Sequence, residues 1–197
     1  MSRDKLLPKN NEKSPESALI KRCQQGEQSA YEELFDLYKD KVYSTAVRML
    51  GNELDTQDAA QDIFVKVFGN IHAFRFDSSP STWIYKIAVN TCLDKLRHDR
   101  KFMQVDAIED LPEYLTALHS NEKTPGAINS IIENEIQKLP EGYKTVFILY
   151  AIEGFKHEEI AKILEISPGT SKSQYFAAKS TLRKKLLPYM EAFTHEL

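Results

Sequence analysis

Apolar positions recur along this chain at three- and four-residue intervals, and short clusters of Pro, Gly, Ser and Asn interrupt them. That pattern predicts successive amphipathic helices. Ser14-Pro15-Glu16 opens a first helix carrying Leu19, Ile20 and Cys23, which stops at Gly26. Ser29 with Glu32 has the spacing of a capping box for a second helix, with Tyr31, Leu34, Phe35, Tyr38, Val42 and Ala46 near one face, until Gly51-Asn52 ends it. A third helix is expected over roughly 57–71 and a fourth over roughly 80–101, the latter marked by Ser79 before Pro80, because a ring nitrogen loses nothing at the first helical position. From 103 to 125 the periodicity disappears into an acidic stretch broken by Pro112 and Pro125, which reads as a linker. Helices resume near Ala127, and Leu139-Pro140 introduces another. Val146 to Tyr150 has strand-like composition, but its helical flanks outvote it.

The most informative pattern is near the end. Phe155, Ile160, Ala161, Ile163 and Leu164 are expected on one short helix, and only the turn Glu165-Ile166-Ser167 separates it from a second that starts at Pro168. At about 100° per residue, Ser171, Tyr175, Ala178, Leu182 and Leu186 share one side of that second helix, and Lys172, Phe176, Lys179 and Arg183 the adjacent side. One side packs; the other is basic and carries an aromatic. This is helix-turn-helix spacing, and a DNA reader is the leading expectation, with an ordinary helical hairpin and a merely solvated basic face as the alternative.

Composition narrows the picture. The 197 residues carry a formal net charge of −3, so any nucleic-acid contact must come from local patches such as Lys179, Arg183, Lys184 and Lys185 rather than bulk charge. Cys23 and Cys92 lie in apolar helical contexts without a companion at metal spacing, and read as reduced core thiols. The first residues lack an apolar signal region, and no run of about 18 apolar residues occurs, so a soluble, cytoplasmic protein is expected. The expected fold is all-α, two small helical domains joined by an acidic flexible linker, the C-terminal one containing a helix-turn-helix. Its divisions are a disordered start (1–15), a first domain (16–102), the linker (103–125), a second domain (126–190) and a tail (191–197).

Two further helices have unusual faces. On the third, Ala60, Ile63, Phe64, Val67, Phe68 and Ile71 are expected to be buried, while Asp58, Gln61, Asp62 and Lys66 surround an exposed Val65. An acidic face with an apolar centre suits docking onto a basic partner; a solvated face with one stray Val is the plain alternative. On the fourth, Ile84, Ala88, Val89, Cys92 and Leu96 form the core stripe, and Trp83, Lys86, Asn90, Asp94, Arg97 and Lys101 line another side. An aromatic, cations and an amide on one face can stack a base, neutralise phosphate and hydrogen-bond a base edge. Just before it stand Phe74, Arg75 and Phe76, a mix suited to unstacked bases, unless these aromatics are simply core.

DAAQDIFVKVFGNI, then FRFDSSPSTWIYKIAVNTCLDKLR, then a linker, then IQKLPEGYKTVFILYAIEGFKHEEIAKILEISPGTSKSQYFAAKSTLRKKL, resemble in order the bacterial RNA polymerase sigma factors of the extracytoplasmic-function (ECF) type, over about residues 18–187. The resemblance implies that Asp58, Gln61, Asp62, Val65 and Lys66 dock on the clamp helices of the polymerase β′ subunit. It implies a minus-ten site in which Phe74, Arg75, Asp77 and Ser78 form a pocket and Asn90 reads a flipped non-template base, with Phe76, Trp83, Lys86, Arg97 and Lys101 around it. It implies a minus-thirty-five reader comprising Thr170, Lys172, Ser173, Gln174, Phe176, Lys179 and Arg183. The partners implied are core RNA polymerase through the β′ clamp helices and the β subunit, promoter DNA, and an anti-sigma factor, with no cofactor, metal, small-molecule substrate or membrane insertion. Many relatives carry Arg where this chain has Gln174 and Ala177, and an amide where it has Asp94, so its promoter preference should differ and Asp94 should orient a neighbouring cation.

Three other functions stay open at this point: a stand-alone helix-turn-helix regulator, a sigma-like decoy for an anti-sigma factor, and a nucleic-acid enzyme. The last lacks a phosphate-cradling Gly-rich loop, an HExxH or a Cys/His cluster, and His157 beside Glu158 and Glu159 reads as a capping or surface residue, since adjacent residues splay around a helix. No catalytic residue is assigned.

Overall fold

The computed structural model describes the backbone of residues 14–105 and 125–194, and the side chains of 14–98 and 129–189. The stretch expected to be disordered (up to residue 13), most of the expected linker (106–124), the end of the tail (195–197) and the side chain of Lys101 lie outside the described residues. Eight α-helices and no strand occur among those described.

All three Ser-Pro steps start helices as their chemistry requires. Ser14 Oγ accepts from the Ser17 N–H (3.1 Å) at the head of α1 (Pro15–Gln24), Ser79 Oγ from Thr82 (3.2 Å) at α4 (Pro80–Val105), and Ser167 Oγ from Thr170 (2.9 Å) at α8 (Pro168–Thr194). The capping box expected at Ser29 is absent. α2 (Gln28–Leu50) starts two residues earlier, with Glu27 in the capping position, and Ser29 Oγ donates to the Glu27 carboxylate (2.8 Å). Gly26, at φ +82°, makes the sharp reversal that permits this early start. Arg22, whose Nε lies 2.9 Å from Glu27 Oε2, holds that carboxyl down to about 2.

α3 (Glu53–Asn70) begins at Glu53 rather than near Gln57, because Asn52 Oδ1 accepts from the Asp55 N–H (2.8 Å) directly after the left-handed Gly51 that ends α2. Asn52→Ala is expected to destabilise the protein by about 1 kcal/mol, read as a lower urea midpoint by far-UV circular dichroism; an unchanged midpoint would remove this cap from the stability account. One 3₁₀ turn, Ile71–Ala73, follows α3. α2 lies between α1, α3 and α4, and buries Leu34, Tyr38, Val42 and Ala46. Contact with both α2 and α4 turns the buried stripe of α3 slightly from the expected one: Ala59 is buried and Ala60 only half so.

The C-terminal helices are α5 (Pro125–Gln137), α6 (Glu141–Phe147), which runs on through one π turn (Ile148–Ile152), α7 (His157–Leu164) and α8. Val146 to Tyr150 is therefore helical. Phe155, expected on the short helix, sits in the loop before it and is buried there. α8 passes through Pro188 and runs to Thr194, past the expected end of the second domain at residue 190. The buried apolar set runs without a break from Leu19 to Leu182, because α7 packs on α4 and the Phe155 ring meets Tyr85 edge-on at 4.7 Å. Cys23 and Cys92 are unpaired and buried, and burial pushes the Cys92 thiol up to about 12. No described helix is long and apolar enough to cross a membrane.

Candidate nucleic-acid interface

Three exposed faces carry the residues singled out by sequence. On α3, Asp58, Gln61, Asp62, Val65 and Lys66 are all exposed, Val65 at 71%. Lys66 differs from expectation in being anchored: its Nζ donates to Thr91 Oγ1 on α4 (3.0 Å), so it faces away from the centre of the patch. Asp58 and Asp55 share Lys95, at 3.4 and 3.2 Å; burial alone would lower that ammonium's pKa, but the two carboxylates raise it overall. Leu54, 79% exposed, completes a stripe with Asp58, Gln61 and Val65 at the i, i+4, i+7, i+11 spacing of one helical face. Beside it, between α2 and α3, a groove of about 570 Å³ is lined by Gln28, Tyr31, Glu32, Phe35, Asp36 and Phe68.

The loop before α4 is built on aromatics. The Phe74 ring lies 4.8 Å from Phe76 and 4.9 Å from Trp83, and Lys21 Nζ sits 5.2 Å from the centre of the Phe76 ring. Phe74 itself is buried, a correction to its place among the base-contacting residues: it is the floor on which the half-exposed Phe76 and Trp83 rest. Phe76 occupies the left-handed region at φ 61°, a conformation that disfavours a side chain and marks the loop as held in shape by its surroundings. Gln24 of α1 helps hold it, donating from Nε2 to Ile71 O (2.8 Å) and Phe74 O (3.0 Å). Arg75 and Asp77 are exposed and Ser78 half-buried. Along α4, Asn90 and Arg97 are exposed, and Asp94 does orient a cation: Arg97 Nη1 donates to it at 3.1 Å. Lys86 is partly covered, because Glu165 of the helix-turn-helix pairs with it at 2.7 Å.

The helix-turn-helix is rigidly braced. Glu165 takes the left-handed conformation (φ 56°) that closes α7, and the chain re-enters helix three residues later at Pro168. The buried Ser171 hydrogen-bonds His157 Nδ1 (2.9 Å), and the His157 ring stacks on Tyr150 at 4.3 Å, which in turn touches Tyr175 at 4.4 Å. His157 thus ties the head of α7 to α8. Thr170, Lys172, Ser173, Phe176, Lys179 and Arg183 are all exposed on α8, Phe176 at 74%, and Lys172, Phe176, Lys179 and Arg183 share one side. One residue expected in the reader and one of the basic patch are drawn elsewhere. Gln174 lies against α6, its Nε2 only 3.2 Å from where a Cβ on Gly142 would stand, and Lys185 is taken by the buried Glu135 of α5 at 3.4 Å. Burial would raise the Glu135 carboxyl, but Lys138 and Lys185 hold it below its usual range.

Residues 34–102 match the family described as Sigma-70 region 2, and residues 130–182 match Sigma-70, region 4. The ECF RNA polymerase sigma factor SigW of Bacillus subtilis is 35% identical over 85% of this chain and 94% of its own length, and the ECF RNA polymerase sigma-E factor of Haemophilus influenzae is 32% identical over 91% and 99%. This chain is an ECF sigma factor of the sigma-70 family. The fold is shared with CnrH, solved in complex with the cytosolic domain of CnrY (TM-score 0.64, 22% identity, 87% of this chain and 96% of that one). It is shared equally with the sigma factor RpoE, solved with the anti-sigma factor NepR from Bartonella quintana (TM-score 0.64, 19% identity, 79% and 96%).

Sigma factors are transcription initiation factors, and the region 2 and region 4 matches fall on the two helical units. Sequence reasoning missed four supports in this sigma factor. Leu54 was lost because the third helix was expected to start after it. Gln24 and the Lys86–Glu165 pair join residues 47 or more positions apart, which no periodicity reports. Ser171 was expected on the packing side, yet its bond to His157 has no local signal.

Proposed function

We propose that this ECF sigma factor docks on the β′ clamp helices of core RNA polymerase through Asp58, Gln61, Asp62 and Val65, captures the melted minus-ten non-template strand on the loop 74–78 and α4, and reads the minus-thirty-five duplex with α8. What supports it most is one pairing of features. An exposed row of Lys172, Phe176, Lys179 and Arg183 on the second helix of a helix-turn-helix coexists with an aromatic and cationic loop at the head of α4. A duplex reader needs only the first; a protein that also holds unstacked bases needs the second. Core RNA polymerase, promoter DNA and an anti-sigma factor are the partners of this reading.

On α8 the exposed Phe176 is placed to meet thymine methyls, while Lys172 and Lys179 contact base edges or phosphate. At the minus-ten element, Phe76 and Trp83 offer ring faces, Arg75 and Arg97 offer charge, and Asn90 offers an amide to a base edge. The test is transcription in vitro with core polymerase on a promoter library, where the protein is expected to select a defined set of promoters. Lys172→Ala is expected to lower transcription from minus-thirty-five-dependent templates about tenfold, the value of one good base-edge contact, and to spare templates that lack the element. Equal losses on every template would take sequence reading away from α8. Tight, specific gel shifts by the protein alone would favour the stand-alone regulator.

A further inference from the structure

α1 carries none of the residues assigned to docking or to base reading, yet it grips the loop 74–78 at two points. Its own place is fixed from the other side. Leu19, Ile20 and Cys23 are buried, and Arg22 ties its last turn to the start of α2 through Glu27 (2.9 Å) and Glu33 (2.7 Å). From this anchored helix Lys21 and Gln24, one turn apart, reach the loop. Lys21 Nζ lies 5.2 Å from the centre of the Phe76 ring, and Gln24 Nε2 donates to Ile71 O (2.8 Å) and Phe74 O (3.0 Å).

A side-chain amide suits this task because its nitrogen carries two N–H groups, one for each carbonyl. Ile71 O already receives the Phe74 N–H (3.3 Å) at the end of the 3₁₀ turn, and its second lone pair takes the Gln24 bond. Phe74 O belongs to the peptide unit that leads into Arg75, so its bond to Gln24 sets the direction in which the chain leaves the turn. Two residues later Phe76 stands at φ 61°, a conformation that persists only where neighbours over-determine it. Those neighbours are the Phe74 ring at 4.8 Å, Lys21, and the carbonyl that Gln24 pins. Trp83 rests on the same Phe74 ring at 4.9 Å. Both half-exposed rings therefore depend on where Phe74 is held.

We propose that Gln24 is a positioning residue of the minus-ten site: it touches no DNA, but its two hydrogen bonds hold the loop 74–78 in the shape that receives an unstacked base, while Lys21 braces the Phe76 ring. The inference rests on the proposed capture of the non-template strand at this loop. A loop already in its bound shape loses no conformational freedom on binding, so the amide raises affinity for the base without contacting it.

Gln24→Met keeps the length of the side chain and removes both donors, whereas Gln24→Glu keeps its shape but, above neutral pH, sets a carboxylate against two carbonyl oxygens. Trp83 is the only tryptophan of the chain, so quenching of its fluorescence by acrylamide reports the state of the loop. Both variants are expected to raise quenching about twofold, as a loosened loop would, with far-UV circular dichroism unchanged. Wild-type quenching in either variant would overturn the inference. In a second measurement, binding with core polymerase is compared on a fork template that carries the flipped minus-ten base and on one with an abasic site in its place. The wild-type protein is expected to prefer the base, and Gln24→Met to lose about fivefold of that preference while binding the abasic template as wild type does. A merely structural defect would weaken both templates alike, and that result, or an unchanged preference, would overturn the inference. If the wild-type protein itself shows no preference, base capture at this loop is what has failed, and Trp83 quenching then decides alone whether Gln24 holds the loop.

Discussion

Asn90→Ala is expected to lower open-complex formation tenfold or more while leaving affinity for core polymerase unchanged. Asn90 is exposed on α4, one turn beyond Lys86 and two beyond Trp83, so all three share a face. Extracting a base from the duplex costs a few kcal/mol, which stacking and hydrogen bonds on the protein must offset. Phe76 and Trp83 supply ring faces to any base, whereas a side-chain amide, with both donors and an acceptor, supplies edge contacts that depend on which base it is. Losing such a contact is worth about 1–3 kcal/mol, which at 1.4 kcal/mol per decade gives the stated effect. Alanine is a good helix former, so α4 should persist. Fluorescence of 2-aminopurine in the minus-ten element reports opening, and a pull-down reports core binding. Unchanged opening would remove Asn90 from the site.

The second large effect is expected from Asp62→Lys, which should weaken binding to core polymerase at least tenfold. Its neighbour Asp58 is already partly neutralised by Lys95, and Lys66 is drawn towards Thr91, leaving Asp62 to carry much of the face's negative charge beside Val65. Reversing a charge opposite a basic partner replaces attraction with repulsion, and at an interface this acts chiefly on the rate of encounter. The loss should therefore grow at low salt, where the Debye length lengthens from about 10 Å at 0.1 M to about 30 Å at 0.01 M. Because the position is exposed and helical, the fold should survive. Titration of labelled protein with core polymerase at two salt concentrations checks it; wild-type affinity at both would sink the docking assignment. A loss at Asp62 with no loss at Asn90 would place the defect in assembly, and the reverse in melting.

Local chemistry made much of this protein legible. A Ser before a Pro starts a helix whatever surrounds it, because the cap bond and the missing N–H are settled within four residues, and all three such steps behave so. Asn52 obeys the same rule, but it directly follows Gly51, so in sequence the cap of α3 is indistinguishable from the stop of α2. The acidic stripe of α3, the mixed face of α4 and the basic row of α8 followed from the 3.6-residue repeat. Errors came where two elements compete for one residue. Phe74 has the composition of a base-stacking group, but α1 and α4 supply enough apolar contact to bury it. Gln174 lies on the far side of α8 from the basic row at about 100° per residue, and α6 brings Gly142, which has no side chain, close enough to receive it.

The sequence by itself therefore determined most helices and their polar and apolar faces, since these depend on neighbours within a turn or two, and the order of its three motifs carried the resemblance to the family. Tertiary structure alone decided which members of each face remain outside, and that the two units are closed on one another. Lys86–Glu165, Glu153 with Thr45 and Tyr85, and Lys144 with Met49 join groups 68 or more residues apart. Helical periodicity carries no signal across such a separation, and those bonds exist only because packing α7 on α4 brings their ends together.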